Sequence, residues 1–335
     1  MKKKYLLFTL PVLILLLGIA IFSSFFKPLK PAGENGTIAV VIPEDASSKE
    51  VSKILYEKKL IKSPFIFNLY TRFKGLDARL KAGNYEFLPP LSLREIVDQL
   101  IKGQPEIVKV TVPEGLTIRQ IAELLAEKGL VAQESFLKEA AQGIFDYPFL
   151  ADLPGGPERL EGYLFPDTYH LSKNISAHDI IDLMLKRFSL EVASLDYERR
   201  AHQAGLTLRE ALIIASLVEK EAKVDEERPV IAGVILNRLR KEMPLQIDAT
   251  VQYALGGNYR PRLYYKDLEV DSPYNTYKIT GLPPSPIASP GRASLLAVVD
   301  ADSTDYLYYV ARPDGTHAFA RTLAEHNANK RRYQQ

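Results

Sequence analysis

The stretch LREALIIASLVEKE, from Leu208 to Glu221, constrains the fold more than any other part of the chain. Ala211, Leu212, Ile213, Ile214, Ala215, Leu217 and Val218 are apolar on nearly every side of a helix, so the helix belongs inside a domain, with other elements around it. It then ends on two carboxylates, Glu219 and Glu221. One reading makes them a solvated helix end, with Lys220 and Lys223 at hand for ion pairs. The other takes a carboxylate out of water, which disfavours its charged form, raises its pKa and keeps it protonated for use as a general acid.

With 335 residues and 46% hydrophobic content, the chain is long enough for two domains with real cores. Its 43 basic and 41 acidic residues give a net charge of +2, which argues against a nucleic-acid partner. The absence of cysteine excludes disulfides, thiol catalysis and cysteine-ligated metal. At the N-terminus MKKK precedes a run from Tyr5 to Phe26 without a charged residue. At about 1.5 Å per residue that run spans a ~30 Å hydrocarbon layer as a helix. The lysines hold residues 1–4 in the cytoplasm, and the rest of the chain falls outside the cytoplasmic (inner) membrane as a single-pass protein. The run is long for a signal-peptide core, and SSFFKPLKP lacks a small-x-small cleavage site, which favours an uncleaved anchor over residues 5–26. Residues 27–36, KPLKPAGENG, read as a linker.

An internal repeat follows. Ile42-Pro43-Glu44, with Ile54, Leu55 and Leu60 behind it, recurs as Val112-Pro113-Glu114, with Ile121, Leu124, Leu125 and Leu130, at a constant offset of 113 − 43 = 70. Each copy reads as a strand (Thr37 to Ile42; Ile107 to Val112), a Pro-led turn and an amphipathic helix. Another strand and helix lie between, in AGNYEFLPPLSLREIVDQLIKG, with Gly103 as the stop. Small units of this kind resemble the LysM type of glycan-binding module; the alternative is a spacer holding a site away from the membrane. Residues 37–142 form this LysM-like region, and the turn-rich stretch from Gly143 opens a catalytic domain over 143–335. There LEGYLFPDTYHL suits a surface loop clamped onto a core, with Asp167-Thr168 as an alternative helix N-cap. Helices are expected near Ile180 to Leu190, Leu208 to Glu221 and Pro229 to Lys241, strands at YLYYVA and HAFART around a PDGT turn, and a closing helix in AEHNANKRRYQQ. The fold class is mixed α+β.

Between those helices and strands, MPLQIDATVQYALGG and SPYNTYKITGLPPSPIASPG suit a shaped polar wall better than a packed core. Gln246, Asn275 and Thr276 offer donors and acceptors for acetamido and hydroxyl groups; Tyr253, Tyr274 and Tyr277 offer flat faces for sugar rings. The sequence holds no HExxH, no GxxxxGK[ST], no GxGxxG after a strand and no GxSxG. Its five histidines are scattered, so neither a metal nor another cofactor is expected. Carboxylate chemistry survives this elimination. Cleaving a glycosidic bond needs a proton on the leaving oxygen and relief of positive charge at the anomeric carbon. In a muramyl sugar the N-acetyl group supplies the relief, and a single glutamate then suffices, its carboxylate taking a proton from the C6 hydroxyl to close an anhydro ring. A hydrolase instead needs a second carboxylate, about 5–5.5 Å away for retention or 6.5–9.5 Å for inversion. Asp248, Asp225, Glu161 and Asp167 are the candidates.

Taken together, VEKE (Val218 to Glu221), LQIDATVQY, YNTYKITGLPPSPIASPG, EGYLFPDTY and HAFARTLAEHN closely resemble the endolytic murein transglycosylase, or YceG-like, family along essentially the whole chain. The resemblance implies a lytic transglycosylase that cuts within nascent peptidoglycan strands to leave 1,6-anhydroMurNAc ends and so terminates glycan elongation. It implies Glu221 as the catalytic residue, Gln246, Asp248, Asn275 and Thr276 along the cleft, and Glu219 in support. Peptidoglycan synthases and the elongation machinery are the implied partners. Two positions depart from the family pattern: Ala249 stands where LQxDPTV has proline, and a proline expected near Asp300 is absent. The rival readings are a lysozyme-type hydrolase and a non-catalytic peptidoglycan-binding scaffold.

Overall fold

The computed structural model describes residues 27–28, 37–88, 90–103, 107–151, 153–257 and 263–333. The expected cytoplasmic residues 1–4, the anchor at 5–26 and most of the linker lie outside them. Among the described residues no helix is long and apolar enough to cross a membrane. These residues form twelve α-helices and three two-stranded antiparallel sheets, a mixed α+β architecture. The chain divides into two compact units, Met1–Glu106 and Ile107–Gln335.

The first unit runs β1 (Ile38–Ile42), α1 (Ser48–Glu57), α2 (Pro64–Phe73), β2 (Gly83–Phe87) and α3 (Leu93–Lys102). In the β1–β2 ladder Ile38 faces Phe87 and Ile42 faces Gly83. The strand alternation turns Val40, Ile42, Tyr85 and Phe87 inward, against Leu55, Phe67, Ile96 and Leu100. Local signals set the helix starts: Ser47 with Glu50 and Ser92 with Glu95 form capping boxes, and Ser63 caps a helix that begins on Pro64.

The second unit opens with the other copy of the repeat: β3 (Ile107–Thr111), α4 (Ile118–Glu127), α5 (Gln133–Gln142) and β4 (Thr168–Ser172). The match between copies extends to backbone detail. Thr117 with Gln120 repeats the Ser47–Glu50 capping box, and Asp45 and Gly115 both turn through positive φ, 65° and 77°. The second copy closes on a strand that lies beyond the turn-rich stretch, since Ile107 pairs with Ser172 and Thr111 with Thr168. That ladder ties the copy to the C-terminal unit, and the compact units therefore part at Glu106/Ile107, not at Gly143.

Two local expectations change. The LEGYLF segment is buried, not a surface loop: Leu160, Glu161, Tyr163, Leu164 and Phe165 all lie within the core. Asp167 caps no helix; its carboxylate accepts from the Thr168 N–H (2.7 Å) and from Arg187 Nε (2.6 Å) at the entry to β4.

The remaining elements are α6 (Ala177–Ser194), α7 (Tyr197–Gln203), α8 (Leu208–Glu221), α9 (Arg228–Arg240), α10 (Asp248–Ala254), α11 (Arg292–Val299), β5 (Tyr308–Ala311), β6 (His317–Ala320) and α12 (Leu323–Tyr333). As its apolar surface requires, α8 is the central helix: every residue from Ala211 to Val218 is buried, and α7, α9, α10 and α11 pack around it. The PDGT turn closes the β5–β6 hairpin, with Gly315 at positive φ.

Candidate active site

The end of α8 fixes the site. Thr207 and Glu210 cap its start, and the helix stops where Ala222 turns to extended backbone. Residues two apart on a helix differ by about 200°, so Glu219 and Glu221 leave it in different directions. The Glu219 carboxylate accepts from Gly291 N–H (3.0 Å) and Ser294 Oγ (2.7 Å) at the start of α11, and lies 3.5 Å from the buried guanidinium of Arg228. Lys220 Nζ donates to the Gly115 carbonyl at 3.1 Å. Glu219 is thus bound into the framework that holds the helix end.

Glu221 has different surroundings. It is half-buried, so part of the side chain is accessible while the atoms around its carboxyl deprive the charged form of hydration. Burial, seconded by the negative charge of Asp248, raises its pKa to about 7 against a hydrogen bond from the Tyr309 hydroxyl, which acts to lower it. At neutral pH a large fraction of Glu221 therefore carries a proton. Tyr309 comes from β5, and burial together with the Glu221 charge holds its own pKa well above the usual phenol range. Behind it His317 meets the ring edge-on at 5.4 Å, and both the His317 backbone N–H (2.9 Å) and ring Nδ1 (2.7 Å) bond to Glu227. The Glu227 carboxylate so fixes the imidazole against which Tyr309 rests.

The segment before α10 forms the facing wall. Leu245, Ile247 and Ala249 are buried, while Gln246 and Asp248 are exposed between them. Gln246 has φ +53°, unfavourable for a residue with a Cβ, and is held there by its N–H to the Thr276 carbonyl (3.0 Å) and by Arg238 donating to its Oε1 (2.9 Å). The Tyr277 hydroxyl donates to Asp248 Oδ1 at 2.6 Å. Arg238 lies over the Tyr308 ring at 5.3 Å and beneath this group, and burial pushes its pKa down. Ala249 occupies the first turn of α10, where backbone N–H groups have no intrahelical partner, so alanine in place of proline removes nothing the helix needs.

The structure gathers Glu221, Asp248 and Gln246 with Tyr277, Tyr309 and Arg238. Asn275 and Thr276 stand behind them, both fully buried. Asn275 Nδ2 donates to the carbonyls of Leu268 and Val270 (2.8 Å each), and Thr276 Oγ1 accepts from Ile247 N–H (2.9 Å) and meets Thr250 Oγ1 (2.9 Å). They shape the wall from inside instead of presenting groups to a ligand. The polar, Pro-rich stretch supplies core as well as surface, because its buried groups are paired.

Glu161 and Tyr274 belong to a second cluster. Glu161 is buried, accepts from Ile118 N–H at the start of α4 (3.0 Å) and from the Tyr253 hydroxyl (3.0 Å), and burial raises its pKa to about 8. Tyr253 packs on Tyr274 at 4.8 Å, whose hydroxyl meets Ser285 Oγ at 2.6 Å. A cavity of about 140 Å³ adjoins Glu161, lined in part by Thr117, Glu158, Tyr253 and Gly257. Tyr309, Arg238 and the Glu227–His317 pair are the site residues that sequence reasoning missed; the only signals were the tyrosine-rich strand and the histidine of HAFART. Among the described residues no group of His, Asp and Glu is arranged to hold a metal ion.

The site is a buried helix that delivers one desolvated carboxyl to a wall of amide, phenol and carboxylate groups. The chain belongs to the YceG-like family, whose sequence profile matches residues 40–332. Known relatives are the endolytic murein transglycosylase of Bacillus subtilis (strain 168), 35% identical over 322 residues, 92% of this chain and 88% of that protein. The endolytic murein transglycosylase of Streptococcus pneumoniae serotype 2 (strain D39) is 34% identical over 319 residues, which make up 87% of this chain and 57% of that protein. The crystal structure of a yceG-like protein from Listeria monocytogenes matches with a TM-score of 0.58 at 37% identity, over 89% of this chain and 100% of that one.

Proposed function

We propose that this protein is an endolytic murein transglycosylase with Glu221 as its acid and then its base. The carrying observation is the state of that carboxyl: half-buried, with a pKa near 7, bonded by Tyr309 and neighboured by Asp248. Protonated Glu221 delivers its proton to the leaving glycosidic oxygen as the bond from the anomeric carbon of MurNAc breaks. The N-acetyl group of the same sugar shares the developing positive charge, and the negative charge on Asp248 favours it further. Glu221, now a carboxylate stabilised by the Tyr309 hydroxyl, takes the proton from the C6 hydroxyl, whose oxygen closes on the anomeric carbon. The products are a 1,6-anhydroMurNAc end and a new GlcNAc chain end; no water is consumed and the glutamate regains its proton.

In this reading Gln246, Asp248 and Tyr277 face the strand, Asn275 and Thr276 hold that wall from behind, and Glu219, Glu161 and Tyr274 hold the framework. The anchor at residues 5–26 keeps the enzyme on the outer face of the cytoplasmic membrane, where nascent strands and the synthases that extend them are found. Family relatives bearing the transglycosylase name at about a third identity support the reaction class. One observation favours a second reading: Asp248 is near enough to raise the pKa of Glu221, as a hydrolase's second carboxylate would be. Incubation of the protein with uncrosslinked glycan, followed by mass analysis of the new ends, separates the two. Anhydro ends support the proposal; reducing ends, heavier by one water, transfer the site to hydrolysis; binding without cleavage leaves a scaffold.

A further inference from the structure

The first unit carries a surface for which the proposed reaction has no use. On α2, Phe65, Leu69 and Phe73 are 72%, 44% and 86% exposed. At four-residue spacing they form one stripe along the helix, and the opposite side buries Phe67 and Thr71. The fold does not require apolar residues there, as the repeat demonstrates. In the second copy, where the helix starts give an offset of 133 − 64 = 69, one residue short of that over the first helices, α5 buries Phe136 and Ala140 where α2 buries Phe67 and Thr71, and the positions matching Phe65, Leu69 and Phe73 are Glu134, Lys138 and Gln142, all exposed. Charge separates the copies too. From Lys58 to Leu76 there is no Asp or Glu, while Lys58, Lys59, Lys62, Arg72 and Lys74 flank the stripe, in a chain whose overall charge is only +2.

We propose that this face of α2 is a membrane-docking surface, with Phe65, Leu69 and Phe73 entering the headgroup region of a bilayer rich in anionic phospholipid and the flanking lysines and arginine lying over the phosphates. Exposed aromatic and aliphatic side chains rimmed by cations, on the polar body of a small domain, are what an interfacial helix needs. The proposal rests on the anchor reading for the presence of a bilayer nearby. Residues 27–36 reach at most about 36 Å beyond that anchor, and a unit of this size has a radius of gyration of about 11 Å, so every face of it is within reach of the lipid. Docked this way, the first unit is tethered at two points, which limits how far from the membrane the chain between them can rise.

The chain contains no tryptophan, so a single Phe73→Trp or Phe65→Trp substitution in the full-length protein reports on that face alone. In vesicles of phosphatidylglycerol and phosphatidylcholine the emission is expected to shift to the blue and to be quenched roughly twofold or more by bromine-labelled acyl chains. Pure phosphatidylcholine or joint replacement of Lys58, Lys59, Lys62, Arg72 and Lys74 by Gln should weaken both effects. Ile144→Trp, at an exposed position of the second unit, should show neither effect. Emission at position 73 that matches Ile144→Trp in anionic vesicles overturns the proposal, as does emission already blue-shifted in the lipid-free protein, or a shift produced by soluble glycan strands and not by lipid. Flotation with the vesicles is read separately. A chain that floats with its tryptophan in water refutes docking alone, whereas a chain that floats with neither vesicle refutes the anchor and the docking together.

Discussion

Replacing Tyr309 by phenylalanine isolates one hydrogen bond at the reacting carboxyl. Three influences act on Glu221: burial and the charge of Asp248 raise its pKa, and the Tyr309 hydroxyl lowers it, leaving the value at about 7. Tyr309→Phe removes the lowering influence and leaves ring packing against His317 in place, so the pKa must rise. A hydrogen bond to a charged group is worth about 1.5–3 kcal/mol, and about 1.4 kcal/mol corresponds to one pH unit. Glu221 is half-buried, so the lower end applies, a rise of roughly one pH unit. Because the glutamate must hold a proton to act, activity falls as pH rises through its pKa, and the variant's alkaline limb lies at higher pH than the wild type's. Cleavage of uncrosslinked glycan measured across the pH range reads this directly. The plateau rate should also fall, since the hydroxyl stabilises the carboxylate formed after proton transfer. An alkaline limb that stays in place, or moves to lower pH, would refute the placing of Tyr309 on the catalytic carboxyl.

Asp248→Asn removes a charge that raises the Glu221 pKa, so its alkaline limb should move the opposite way, to lower pH, in the same assay. Glu219→Ala deprives Arg228 and the start of α11 of their carboxylate; breaking a buried pair costs about 3 kcal/mol, so denaturant unfolding should shift while Glu221's pH limb stays put. Glu161 has its pKa raised by folding, from 4.5 to about 8, so its contribution to stability is complete below the unfolded value and is lost as pH rises through the folded one. That loss is on the order of 5 kcal/mol, and Glu161→Gln, which still accepts from Ile118 N–H, should flatten the fall in thermal stability between those pH values. A wild-type melting temperature no more sensitive to pH between 4.5 and 8 than the variant's would contradict the burial of a neutral carboxyl there.

What the sequence made legible followed from local rules. An all-round apolar surface on Ala211 to Val218 demanded a central helix, and the apolar spacing repeated at an offset of 70 marked the matching helices that the structure starts after Ser47 and Thr117. The strand closing the second copy was not legible, because β3 and β4 are joined across a long insert and no local pattern announces which distant strand completes a ladder. The same limit applies at the site. Glu219 and Glu221 are two residues apart in one buried helix, and only the placement of Arg228 and Ser294 on one side and Tyr309 and Asp248 on the other tells them apart. Asn275 and Thr276 looked like ligand groups because amides and hydroxyls bond equally well to a sugar or to a neighbouring backbone; their burial decides for the backbone. Tyr309 and His317 gave no signal beyond residue type, since their meaning depends on where a hairpin far along the chain is set against the end of α8.

Whether Glu221 alone supplies and then recovers the proton is read from mass analysis of glycan ends after digestion with the wild-type protein and with Glu221→Gln. Anhydro ends are expected from the wild type and none from the near-isosteric glutamine variant, with both proteins showing the same unfolding transition. Anhydro ends released by Glu221→Gln at a rate near that of the wild type would contradict that role.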